Sequence, residues 1–117
     1  MSIKRIKVGA RMSQAVVHGN VVYTAGQVAL NAAGEDAAAQ TKDILESIDA
    51  LLTEAGTDKT KLLTANIWLA DMDDFKAMNS IWDEWVAENN TPTRACVESK
   101  LAAPQFNVEI AVTAAVD

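Results

Sequence analysis

The sequence predicts an α+β domain in which two amphipathic helices pack on one face of a mixed β-sheet. Apolar residues follow a helical stripe in two stretches, 36–55 and 75–86, and short runs rich in β-branched residues flank both stretches. The predicted element order is β-β-β-α-β-α-β-β. Because each helix lies between two strands, right-handed crossovers would place both helices on the same side of the sheet.

Size and composition limit the possible classes of protein. The 117 residues suffice for one core, so we expect a single domain over residues 1–117. The formal charge of -6 argues against a nucleic-acid partner, which would need clustered Lys and Arg. No apolar run approaches the ~20 residues that cross a bilayer, and Met1 to Gly9 lacks a signal-peptide core. We therefore expect a cytoplasmic protein with no membrane partner. The only cysteine, Cys96, and the only histidine, His18, leave no plausible metal site.

The N-terminal third reads as strands. Ser2 to Val8 is strand-like, and its lysines suit a sheet edge because they discourage stray pairing. Ala15 to Gly26 contains two β-branched runs joined by Gly19-Asn20, which predicts a two-residue hairpin. Gln27 to Glu35 is predicted to be a loop.

The first helix is expected to be capped near Asp36 and closed by Gly56. Residues 62–69 have the composition of a buried strand. The acidic run from Asp71 to Asp74 suits the N-terminus of the second helix, and Asn89, Asn90 and Pro92 should end that helix. The predicted inner stripes are Ile44, Leu45, Ile48, Leu51, Leu52 and Ala55 in the first helix, and Phe75, Met78, Trp82, Trp85 and Val86 in the second.

The stretch from Thr93 to Glu109 carries the chemistry. Side chains two apart on a strand share a face, so Arg94, Cys96 and Glu98 point one way. In the last strand the core face is predicted to be Val108, Ile110, Val112 and Ala114, which leaves Glu109 on the opposite face. That face, with Thr64, Asn66, Trp68, Ala111, Thr113 and Ala115, is small or polar apart from the tryptophan. An uncovered sheet face of this kind predicts a homo-oligomer.

Arg94 and Glu109 each allow two interpretations. A guanidinium on a strand is a good clamp for a small carboxylate, but it also suits an ion pair between strands or subunits. Glu109 could act as general base or acid, or it could pair with a basic side chain, and residue chemistry alone slightly favours the pairing.

For Cys96 and Asn79, residue chemistry alone favours structural roles over functional ones. No histidine is placed to activate the Cys96 thiol, so an inert buried thiol is favoured over a nucleophile. Asn79 lies on the apolar side of the second helix, where its amide would either satisfy loop backbone or reach toward a cleft, and the backbone role is favoured.

Four segments together resemble the Rid family, also called YjgF-like proteins or reactive intermediate deaminases. They are VVYTAGQVA (21–29), NIWLADMDDFKAMNSIWDEW (66–85), TRACVE (93–98) and VEIAV (108–112). The resemblance covers roughly residues 13–116, and its most specific parts are the arginine of the TRACVE strand and the glutamate of the VEIAV strand.

The resemblance implies a chorismate-mutase-like fold assembled as a homotrimer, with sites in clefts between subunits. It also implies hydrolysis, without a cofactor, of enamines or imines such as 2-aminoacrylate to 2-keto acids and ammonia. Arg94 would hold the substrate carboxylate, and Glu109 with the main-chain carbonyl of Cys96 would place the attacking water. Asn79 matches an asparagine near the family's cleft.

Two positions depart from the family's best-known deaminases, which carry a tyrosine and a serine where this chain has Met12 and Ala25. Loss of those hydroxyls removes hydrogen bonds to substrate and predicts a more apolar pocket at the substrate-binding position Ala25. The alternative to a deaminase is a non-catalytic trimer whose clefts bind small carboxylate metabolites. Cleavage of RNA is disfavoured by the acidic composition.

Overall fold

The computed structural model describes residues 2–117, and Met1 lies outside the described residues. Within that range the chain forms two helices and seven strands. Their bounds are β1 Ile3–Val8, β2 Ser13–His18, β3 Val21–Thr24, β4 Gln27–Val28, α1 Ala37–Glu54, β5 Leu62–Leu69, α2 Phe75–Trp85, β6 Thr93–Glu98 and β7 Val108–Ala115.

The strands form one mixed sheet in the order β1-β2-β3-β7-β5-β6, and all neighbours are antiparallel except β5 and β6. This confirms the predicted α+β class and places the lysine-bearing β1 at an edge. The other edge is β6, the strand that carries Arg94. The β2–β3 hairpin turns at Gly19-Asn20, and only Gly19 of that pair has a positive φ (63°), as in a type II′ turn.

The loop predicted over Gln27 to Glu35 is partly wrong, because Gln27 and Val28 form β4. These two residues pair with Ile110 and Glu109 of β7, on the same side of β7 as β3. Two residues are too few to show a periodic pattern, so the pairing could not be read from the sequence.

Helix α1 supplies most of the helical part of the core. Asp36 is its N-cap and accepts from the N–H of Ala39 at 2.9 Å, as predicted. Gly56, at φ 88°, allows the Thr57 N–H to reach the Leu52 carbonyl, which closes the helix. The predicted inner stripe is confirmed as buried: Ile44, Leu45, Ile48, Leu51, Leu52 and Ala55.

Helix α2 packs beside α1 on the same sheet face, and the Trp85 Nε1–H donates to Asp49 of α1 at 3.0 Å. The second helix differs from prediction at both ends. Asp71 caps a single 3₁₀ turn ahead of the helix, and α2 ends at the C-cap Val86, before the predicted stop. Phe75 was predicted to be part of the core but is 38% exposed. Its ring lies beside Arg94.

A buried amide fixes the loop between β6 and β7. Gln40 of α1 is fully buried, donates to the carbonyls of Glu35 and Gln105, and accepts from the N–H of Asn107. These bonds hold the loop against α1 and so set where β7 begins.

The sheet face opposite the helices has no covering element among residues 2–117. The inner residues of β7 are buried as predicted (Val108, Ile110, Val112 and Ala114), whereas Glu109, Ala111, Thr113 and Ala115 are half-buried on the outer face. Tyr23 of β3 is 49% exposed. Within residues 2–117, neither helix combines the length and the apolar character that a membrane crossing requires.

Candidate functional site

The strand register places Arg94 and Glu109 on opposite faces of the sheet. Arg94 lies beside Ala65, whose partner on the other side is the buried Val112, so this row of side chains faces the helices. Glu109 pairs with Trp68 and Val28 on the open face. The two groups of greatest interest are therefore not brought together within one chain.

Neither charge is neutralised by another residue of the described chain. Between residues 2 and 117 the only salt bridge joins Lys61 and Asp117, near the C-terminus. The structural interpretations of Arg94 and Glu109 as partners in an ion pair thus find no support within residues 2–117.

Helix α2 orients the guanidinium of Arg94. One Nη1–H donates to the Oδ1 of Asn79 at 2.8 Å, and the guanidinium carbon lies 5.4 Å from the centre of the Trp82 ring and 5.8 Å from that of Phe75. Both distances suit a cation–π contact. The predicted backbone role of Asn79 is therefore wrong, since its side-chain oxygen serves Arg94.

The aromatic shelf under Arg94, formed by Phe75 and Trp82, was missed in the sequence. Phe75, Asn79 and Trp82 follow the spacing i, i+4 and i+7, which puts them on one side of a helix. The same spacing is typical of a core stripe, which is what the sequence alone predicts here. The parallel pairing of β6 with β5 places Arg94 over this side of α2. Phe75 therefore contacts the guanidinium at the surface instead of being buried in the core, which explains its exposure.

Glu98 makes a contact with the turn before α2 that the sequence does not predict. Its Oε1 accepts from the main-chain N–H of Met72 at 2.8 Å, in the turn that precedes α2. This bond ties β6 to the start of the helix that carries Phe75 and Asn79.

Glu109 lies on the open face against Gly26. A Cβ built on Gly26 would lie 2.1 Å from Oε2 of Glu109, so the carboxylate occupies the place of the missing side chain. Ala25, the neighbour of Gly26, is half-buried, and its N–H donates to the carbonyl of Gln14 at 2.8 Å. Glu109 and Ala25 therefore belong to one surface region, which we call the carboxylate half-site (Ala25, Gly26, Trp68 and Glu109).

Cys96 lies on the helix-facing side of β6, with Arg94, and its side chain packs partly buried against the core. Burial raises the pKa of its thiol, and the nearby Arg94 only partly opposes this shift. The thiol is therefore protonated at neutral pH, which agrees with an inert rather than a nucleophilic cysteine. We call Asn79, Arg94, Cys96 and the aromatic shelf the arginine half-site.

Three cavities of the chain lie away from Arg94 and Glu109. Their volumes are about 360 Å³ between α1 and α2, 630 Å³ beside the 99–106 loop, and 320 Å³ between Lys7 and α1. Neither Arg94 nor Glu109 lines any of the three. Met12, where the family's deaminases carry a tyrosine, is 48% exposed. Both half-sites are open surfaces of the chain.

The fold and the two half-sites define a class of small α+β proteins with an arginine on the penultimate strand and a glutamate on the last. The family model described as Endoribonuclease L-PSP matches residues 2–116. The chain therefore belongs to this family, whose members similar to this chain carry the names RutC, YjgF and Rid.

Several relatives match along nearly their whole length. A RutC family protein of Haemophilus influenzae is 46% identical over 114 residues, which is 97% of this chain and 98% of the relative. The RutC family protein YoaB of Escherichia coli is 44% identical, covering 99% of this chain and 100% of its own. The crystal structure of NMB1025, a YjgF family member from Neisseria meningitidis, superposes with a TM-score of 0.96 at 45% identity, over 100% of this chain and 97% of that one.

Proposed function

We propose that the protein is a deaminase that hydrolyses reactive 2-imino acids, or the enamines that tautomerise to them, to 2-keto acids and ammonia. The observation that carries the proposal is the state of Arg94. Its guanidinium is exposed, oriented by a neutral amide, and free of any carboxylate partner within residues 2–117. An oriented cation without a counter-ion suits a small carboxylate ligand.

We further propose that the complete site forms between two copies of the chain in a homotrimer. Arg94 and Glu109 lie on opposite sheet faces, so one copy must supply the arginine half-site and a neighbour the carboxylate half-site. The uncovered outer face of the sheet supports this assembly, because a second copy would cover Trp68, Ala111, Thr113 and Ala115.

The chemistry asks little of the protein. Arg94 would anchor the substrate carboxylate and so fix the adjacent C=N carbon. Glu109 of the neighbouring copy, with the main-chain carbonyl of Cys96, would hold a water against that carbon. The imine reacts in its protonated, iminium form. As the water oxygen bonds to carbon, one water proton passes to Glu109 and the C=N electron pair moves to nitrogen, which becomes a neutral amine. Glu109 then returns that proton to the nitrogen, the C–N bond breaks as ammonia leaves, and the hydroxyl proton passes to Glu109 as the C=O of the 2-keto acid forms.

The test generates 2-imino acids in situ with an amino-acid oxidase and follows their disappearance. The wild-type protein should accelerate the loss over buffer, and Arg94→Ala should remove most of this acceleration. An equal rate with and without protein would contradict the proposal. If 2-keto acids then bound saturably without turnover, the protein would be a carboxylate-binding module instead.

Cleavage of RNA, which the description of the family model names, finds little support in this chain. The formal charge is -6, and the single histidine, His18, is exposed beside the hairpin turn. Since phosphate contacts dominate RNA affinity, we expect no measurable binding at physiological salt.

A further inference from the structure

Gly26 combines a close contact with an ordinary backbone. A Cβ at this position would lie 2.1 Å from Oε2, 2.9 Å from Cδ and 3.2 Å from Cγ of Glu109. Its φ is not positive, in contrast to those of Gly19, Gly34 and Gly56. Backbone conformation therefore does not require glycine here, and the contact with Glu109 does.

The backbone of Glu109 cannot move to relieve such an overlap. It is held between Trp68 of β5 and Val28 of β4, in the middle of the sheet. Any side chain at position 26 would instead rotate the glutamate side chain away from the surface beside Ala25. Two atoms of the carboxyl group, Oε2 and Cδ, would lie closer than 3.0 Å to the added Cβ, so the overlap is relieved when the carboxyl group as a whole swings away.

We infer that Gly26 is a positioning residue for Glu109. The Glu109 carboxylate occupies the space that a side chain at position 26 would fill, and we call this space the seat of the carboxylate. The catalytic use of that seat rests on the proposed function, whereas the steric relation does not. A methyl group at position 26 should displace the carboxylate while leaving Glu109 in the chain. Gly26→Ala should thus reproduce much of the effect of removing the glutamate.

The kinetic test compares wild type, Gly26→Ala, Glu109→Gln and the double variant in the imine assay. For Gly26→Ala we expect kcat to fall by about 10²-fold, the usual contribution of a general base, with little change in KM, because Arg94 still holds the substrate. The double variant should be no slower than Glu109→Gln. A purely structural role for Gly26 would instead change both constants and add to the effect of Glu109→Gln.

A second measurement does not depend on activity. In the wild-type background Gly26→Ala should lower the thermal unfolding midpoint. In a Glu109→Ala background, where the space is free, the same change should leave the midpoint equal or higher, since alanine restricts the unfolded chain more than glycine does. A crystal structure of Gly26→Ala should show the Glu109 carboxylate moved out of its seat.

The outcomes separate the two ideas. If the wild type shows no turnover but the reversal of the midpoint and the displaced carboxylate are found, the proposed function fails and the positioning role stands. If the carboxylate stays in place in Gly26→Ala, with an unchanged midpoint and kcat, the positioning role is wrong.

Discussion

Asn79 orients Arg94 without neutralising it. An amide oxygen accepts one guanidinium N–H but brings no charge, so the cation keeps its attraction for an external anion. An aspartate at the same place would hold the arginine more firmly and would compete with the ligand. The Phe75 and Trp82 rings add orientation from below through cation–π contacts, again without a counter-charge.

Asn79→Ala should weaken the binding of a 2-keto acid such as 2-oxobutanoate by about tenfold, because it removes one hydrogen bond to a charged group. Asn79→Asp should also weaken binding, since it supplies a competing carboxylate. Calorimetric titration measures both changes. Ser80→Ala is the matched control, because the Ser80 hydroxyl bonds only to the Ala77 carbonyl on the exposed side of the helix. Equal affinities for wild type and Asn79→Ala would refute the orienting role.

The thiol of Cys96 should be a poor nucleophile. Burial raises its pKa, so the thiolate fraction at pH 8 is smaller than in an exposed cysteine, and alkylation by iodoacetamide should be correspondingly slower. Cys96→Ala should retain deaminase activity, because only the main chain at this position is given a role. Alkylation as fast as that of a small-molecule thiol at the same pH, or an inactive but folded Cys96→Ala, would contradict this assignment.

Elements with a strong periodic signal were predictable. The stripe and caps of α1, the bounds of β5 and the alternation of β7 all follow from hydrophobic spacing and cap chemistry within a continuous stretch. Strand β4 and the end of α2 were not predictable in this way. Strand β4 forms because β7 provides a pairing partner for it. Helix α2 ends at its C-cap Val86, although the sequence up to Glu88 has no helix breaker.

The N-cap of α1 offers a test of local stability. Asp36→Ala should lower the free energy of unfolding by about 1 kcal/mol, because the Ala39 N–H loses its acceptor. Urea denaturation at a fixed protein concentration measures the change. Glu46→Ala, an exposed mid-helix change on the same helix, is the control and should have little effect. Similar losses in both variants would show that the cap is not the cause.

Three carboxylates at the start of α2 (Asp71, Asp73 and Asp74), with Asp36 at the N-cap of α1, set a pH dependence. Partial burial raises the pKa of Asp74, and the charges of Asp71, Asp73 and Asp36 raise it further. The folded state therefore holds this proton more tightly than the unfolded chain does, so ionisation of Asp74 disfavours folding. The unfavourable contribution is absent at low pH, where the group is protonated in both states, and grows as pH rises through its titration.

Asp74→Asn should therefore stabilise the protein at pH 7 relative to wild type, and the gain should disappear on acidification below the ordinary pKa of an aspartate. Asp74 makes no side-chain capping bond that the change would remove. Thermal unfolding midpoints of the two proteins between pH 3 and pH 7 measure the difference. A constant difference across this range would show that ionisation of Asp74 is not responsible.

At the scale of the whole molecule, the sequence predicted the core and outer faces of single strands but not how separate strands are arranged. Arg94 and Glu109 stand out as charges within strands, and alternation correctly placed Glu109 away from the core. Alternation within each strand says nothing about which face two separate strands share, so the opposite placement of the two groups needed the β5 register. The contact of Asn79 with Arg94 and that of Gly26 with Glu109 were not predicted, because both are contacts between separate elements.

The central claim is that the working site requires Arg94 of one copy and Glu109 of another. The most direct test mixes the inactive variants Arg94→Ala and Glu109→Gln in equal amounts, refolds or co-expresses them, and measures deamination. In a random mixture, half of the copies carry an intact Arg94 and the other half an intact Glu109. Each site between two copies therefore has a one-in-four chance of receiving both intact residues, and about a quarter of the wild-type activity should return. A mixture that forms hybrid oligomers yet stays as inactive as either variant alone would contradict a site shared between copies.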